Sequence, residues 1–191
     1  MALEAIAVMR HYGFDTFQVL AHDRGARVTH RLAVDHPRAV QQLMLLDIAP
    51  ALGVYEHTTD AFARAYWHWF FLSRPPPLPK SLMESAPVRH VRSVVGKRHA
   101  GLEAFSPAAL AEYERCAQIF GAGMSICEDY RGAATIDLVH DRTDVASGTR
   151  LAQPLRVLLG EHCGVGKRFA VLELWRERAS NVSGLGLPFG H

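Results

Sequence analysis

An α/β protein whose mostly parallel sheet is interrupted by a long helical insertion is the fold class this 191-residue sequence predicts. Three observations point there: a compact β-α-β pattern over residues 17–46, no strand-like alternation from about 53 to 148, and a return of the α/β rhythm after Pro154. They divide the chain into a first core segment (1–52), an insertion (53–148) and a second core segment (149–191).

The elements follow in order. Leu3, Ile6, Ala7 and Met9 have the spacing of an amphipathic helix over 1–12, ended by Gly13. Phe17-Gln18-Val19-Leu20 reads as a buried strand within 17–22, and 25–36 as a helix stopped by Pro37. The second strand, 40–46, ends on Asp47-Ile48-Ala49-Pro50, and the crossover length suits a parallel pair. The insertion reads as helices over 58–72, 80–99, 107–121 and 124–139, with Pro75-Pro76-Pro77-Leu78-Pro79 as a stiff connector. Leu155-Arg156-Val157-Leu158-Leu159 is a strand, 168–179 a helix and 183–187 a last short strand.

Bulk properties exclude several classes. A hydrophobic content of 49% with a net charge of +2 describes an ordinary globular chain, not a nucleic-acid binder. The modest basic group Arg89, Arg92, Lys97 and Arg98 reads as a solvated helix face. No apolar run reaches membrane-spanning length, and the first ten residues lack the features of a signal peptide. Cys116, Cys127 and Cys163 are odd in number and lack metal-type spacing, so a reduced, cytoplasmic compartment is expected. Gly164-Val165-Gly166-Lys167 lacks the earlier glycine and the Ser/Thr of a P-loop, and no histidine set has ligand spacing. No cofactor, no metal, no nucleic acid and no membrane are therefore expected.

The most informative stretch is Ala21-His22-Asp23-Arg24-Gly25-Ala26-Arg27, between the first strand and its helix. A reactive side chain between small residues at a strand-to-helix turn is the arrangement of a nucleophile elbow. Here the central residue is a carboxylate, which can displace a leaving group from an sp³ carbon and form an ester that water then cleaves. The alternative is an ordinary helix-capping aspartate. Arg24 and Arg27, three apart at a helix start, can point to one side, and their planar guanidiniums suit a substrate carboxylate. Surface pairing with Asp or Glu is the other reading of both.

This motif resembles that of the haloacetate (fluoroacetate) dehalogenases, a branch of the α/β-hydrolase superfamily. Epoxide hydrolases usually carry Trp after the nucleophile, and haloalkane dehalogenases Gln before it and Trp after. The resemblance implies a partial α/β-hydrolase fold, the C-terminal half of a mostly parallel sheet with a helical cap insertion. It implies Asp23 as nucleophile, Arg24 and Arg27 as carboxylate clamps, and His191 as the base that activates water. Asp47 would be the acid behind His191, with Glu161 after the next core strand as the alternative. His68, Trp69 and Tyr130, within Tyr66-Trp67-His68-Trp69-Phe70-Phe71 and Cys127-Glu128-Asp129-Tyr130-Arg131, would hold the departing halide; core packing is the other reading of these aromatics. The implied reaction is cofactor-free hydrolysis of a haloacetate to glycolate and halide, on a small anionic substrate. Epoxide hydrolysis is the neighbouring chemistry. A truncated, non-catalytic relative is a second reading, because similar enzymes have further strands and an oxyanion loop before residue 1 and a helix after 191. Strand 17–22 would then present an apolar edge, where a second copy could pair to give a homodimer.

Overall fold

The computed structural model describes residues 1–96 and 100–191. The helix expected over 80–99 and the basic pair Lys97 and Arg98 therefore reach outside the described residues. The chain divides into two compact units: Met1–His57 with His140–Phe189 and His191, and Thr58–Val139 with Gly190.

The first unit is built on four parallel strands in the order β1 (Phe17–His22), β2 (Val40–Leu46), β3 (Leu155–Gly160) and β4 (Val182–Leu187). Helix α1 (Ala2–His11) precedes β1, α2 (Arg24–Asp35) crosses from β1 to β2, and α3 (Ala51–Glu56) follows β2. Leu43, Leu45, Leu155 and Val157 lie on the central strands and are almost fully buried, as β-rich apolar runs in a parallel sheet should be. β1 departs from the buried strand its sequence suggests. Gln18, Leu20 and His22 are exposed and alternate with half-buried Phe17, Val19 and Ala21. It pairs with β2 and is an edge strand among the described residues, so one face of its apolar run is left to solvent.

The second unit is helical: α4 (Asp60–Ala65), α5 (Trp67–Leu72), α6 (Leu78–Ser85), α7 (Pro87–Val95), α8 (Pro107–Ala117) and α9 (Ala122–Ala134), with α10 (Ile136–Ser147) running back into the first unit. Three expected helices are each broken in two, for local reasons. Tyr66 leaves the helical backbone (φ −112°, ψ 32°) and stacks its ring on Phe62, 4.6 Å away. Ala86 is forced to φ −153° because Pro87 denies the residue before it an α conformation. Thr135 breaks the third, its Oγ1 donating back to the Arg131 carbonyl at 2.6 Å. Leu72, Met83 and Cys127 form a buried cluster here, with Phe71, Ile126 and Tyr130 packed on it.

Helix α11 (Val171–Arg178) closes the first unit. Its Trp175 indole donates to the Ile48 carbonyl at 2.9 Å, and the Arg178 guanidinium donates to the Asp141 carbonyl at 3.0 Å. Asp141 also accepts from the Leu52 amide at 3.2 Å, while Arg31 pairs with Asp144 at 2.8 Å. This buried network ties α2, α3, α10 and α11 together. No helix among the described residues is long and apolar enough to cross a membrane, and all three cysteines are free thiols.

Candidate active site

Parallel register places the ends of the strands side by side, and the carboxyl edge of such a sheet is where ligands bind. His22 pairs with Leu46, so Asp23 and Asp47 are the next residues out of neighbouring strands. Both have positive φ, 49° at Asp23 and 52° at Asp47. For a residue with a Cβ such a conformation costs on the order of 1–3 kcal/mol and persists where surrounding structure dictates it. Asp23 occupies the N-cap position of α2, yet its side chain makes no capping hydrogen bond. The capping alternative thus fails on geometry. The sharp turn aims the carboxylate away from the helix instead.

His191, past β4, lies between the two carboxylates. Its Nε2 is 3.6 Å from Asp23 Oδ2 and its Nδ1 is 3.6 Å from Asp47 Oδ2. Asp47 is held by the Gly160 amide, which donates to Oδ1 at 2.5 Å and leaves Oδ2 facing the imidazole. Glu161, the alternative acid, is exposed. Burial opposes ionisation of Asp23, but the His191 imidazole, Arg27 and Arg24 outweigh it and bring its pKa down to about 2. Of the expected first-unit residues, the structure thus gathers Asp23, Asp47 and His191, with Arg24 and Arg27 acting on the Asp23 carboxylate.

His68, Trp69 and Tyr130 belong to the second unit. The His68 and Tyr130 rings meet edge to face with centroids 6.0 Å apart. Trp69 is buried, its ring edge-on to Phe62 at 5.5 Å and to Tyr66 at 5.9 Å.

Two neighbours of the site carry no sequence signal of a role. The His22 ring lies 4.5 Å from the His191 ring at a 41° tilt, and buried Cys163 places Sγ 3.8 Å from His191 Nδ1. Both proximities depend on strand register and on the path of the chain after β4, which residue spacing does not encode.

No family model matches the chain. It is 35% identical to the fluoroacetate dehalogenase of Burkholderia sp. over 192 aligned positions, covering all of this chain and 62% of that protein. It is 28% identical to the soluble epoxide hydrolase of Corynebacterium sp. strain C12, over 96% of this chain and 63% of that one. A crystal structure of ALR0039 from Nostoc sp. PCC 7120, described as an α/β hydrolase, superposes with a TM-score of 0.96 at 48% identity, over 100% of this chain and 65% of that chain. The fold is a partial α/β-hydrolase fold. The chain is homologous to fluoroacetate dehalogenase and spans under two thirds of the length of the curated relatives it matches.

Proposed function

We propose that the chain carries the catalytic centre of a hydrolase that cleaves the carbon–halogen bond of a haloacetate through an ester on Asp23. The observation that supports this best is the Asp23 carboxylate. It is strained out of its helix, ionised down to about pH 2 and flanked by two arginines and a histidine. A carboxylate kept anionic in this way is a nucleophile, not a general acid.

In the first step an Asp23 oxygen attacks the substrate α-carbon, the C–O bond forms as the C–halogen bond breaks, and halide leaves. Arg24 and Arg27 hold the substrate carboxylate so that the α-carbon lies in line. Donors to the departing halide are assigned, by the resemblance alone, to His68, Trp69 and Tyr130. In the second step His191 Nε2 takes a proton from water, which attacks the Asp23 ester carbonyl and expels glycolate. Asp47 stabilises the imidazolium through Nδ1 and fixes the tautomer that leaves Nε2 as acceptor. The substrate is a small anion, and no cofactor enters either step.

Epoxide opening is the second reading, favoured by the likeness to the Corynebacterium enzyme. It uses the same nucleophile and base, but two cations beside the nucleophile favour an anionic substrate over a neutral epoxide. The test is halide release from fluoroacetate and chloroacetate by the purified chain, with Asp23→Asn alongside and a neutral epoxide as competing substrate. Release by the native chain that Asp23→Asn abolishes is expected. Turnover of the epoxide alone, or of neither substrate, would overturn the proposal.

A further inference from the structure

We infer that His22, Asp47 and His191 form a site for one divalent transition-metal ion of the zinc class, and that its binding switches off the proposed base. One donor atom from each of the three lies within 4.8 Å of the other two. Two imidazoles and a carboxylate are a donor set that zinc, cobalt and nickel accept readily, with further positions left for water.

The spacing supports a shared ion. Asp47 Oδ2 and His191 Nδ1 stand 3.6 Å apart. Two ligands on a tetrahedral ion with bonds of about 2.05 Å stand roughly 3.4 Å apart, so this pair can close on one ion with a small shift. Asp47 is already oriented as a ligand, because the Gly160 amide occupies Oδ1 and leaves Oδ2 turned to the histidine. The His22 and His191 rings lie 4.5 Å apart, centroid to centroid, so both imidazoles stand at the same corner as Asp47. His22 and Asp47 stand at adjacent strand ends, so the frame holding two of the three donors is rigid.

The consequence follows from imidazole chemistry. A metal bound to Nδ1 of His191 leaves the ring proton on Nε2, the nitrogen facing Asp23. That nitrogen then has no lone pair with which to accept a proton from water. The same ion separates Asp47 from His191. This loss of activity rests on the hydrolase reading; the binding itself does not.

The test begins with chelator-treated full chain titrated with Co²⁺, with visible ligand-field absorbance as readout, followed by displacement with Zn²⁺. The native chain is expected to saturate at one equivalent. His22→Ala, at an exposed position, is expected to bind at least about tenfold more weakly with an unchanged circular dichroism spectrum. Asp23→Asn keeps all three donors and is expected to bind as the native chain does. No absorbance at one equivalent, or equal affinity in His22→Ala, would overturn the inference, the latter by showing that Co²⁺ sits on other histidines. In the activity arm, halide release by the native chain is expected to fall as Zn²⁺ saturates. Release that persists in the Zn²⁺-saturated chain would overturn the switch. A chain with no turnover at all refutes the hydrolase reading, and the Co²⁺ titration then decides the site alone.

Discussion

Acid should destabilise this protein through one buried imidazole. His30, on α2, is 6% exposed, its ring edge-on to Trp175 at 5.4 Å. Burial, then the charges of Arg178 and Arg31, lower its pKa to about 3, although the Asp141 carboxylate lies only 3.9 Å from Nδ1. The Asp144 and Asp35 carboxylates pull the other way without offsetting burial and the two arginines. The imidazole is therefore neutral in the folded state and becomes charged near pH 6.5 once unfolded. Below that pH the unfolded chain binds the extra proton, so stability falls as pH falls, by about 1.4 kcal/mol per unit. With folded and unfolded pKa values of about 3 and 6.5, the group costs about 2 kcal/mol between pH 7.5 and 5.0. The measurement is urea unfolding of the native chain and of His30→Leu at pH 7.5, 6.5, 5.5 and 5.0. Leucine removes the titration but also changes ring packing, so the offset at one pH is not the readout; its shift by about 2 kcal/mol in favour of the variant between pH 7.5 and 5.0 is. A difference that stays flat over this range would refute the reasoning, because it would mean His30 titrates alike in both states.

Three further outcomes are expected. Gly184→Ala would drive a methyl into the Val157 carbonyl of the neighbouring strand and to 2.6 Å from Leu172 Cδ2, so thermal denaturation should show a loss of several kcal/mol. Arg178→Ala strips a buried partner from Asp141 and Asp144 and should cost about 3–5 kcal/mol in urea unfolding, whereas an exposed pair such as Arg64–Asp60 removed by Arg64→Ala should cost under about 1 kcal/mol. If the ester mechanism holds, His191→Gln should still release one equivalent of halide per chain and then stall, because Asp23 remains the nucleophile while water is no longer activated; rapid-quench halide assays would read the burst.

Much of the sheet was legible because its elements are locally self-consistent. The β-α-β run from 17 to 46 combines an apolar strand, a helix stopped by Pro37 and a second apolar strand, and all three form near the expected limits. The insertion was less legible. Its helical character follows from composition, but the breaks at Tyr66 and Thr135 depend on a ring stack and on a hydroxyl's return to the backbone. Neither has a distinctive residue pattern, whereas the break before Pro87 follows from proline chemistry alone. The exposed face of β1 could not be read from Phe17-Gln18-Val19-Leu20, since a strand's burial depends on what covers it.

The site divides along the same line. Asp23, Arg24 and Arg27 stand in one short motif, so a local reading groups them as candidates, and Asp23 has the positive φ of a sharp turn. Asp47 and His191 are far from that motif in sequence, and their convergence on Asp23 comes from the parallel order of the strands. His22 makes the contrast sharpest. Strand alternation turns its backbone neighbour Asp23 into the turn, but strand register, one residue off Asp47, brings its ring against His191. A residue that looks like a spacer in the motif therefore stands beside His191, where the inferred metal site would use it. If that site binds zinc-class ions, histidine at this strand end makes the chain sensitive to them, as an apolar side chain there would not.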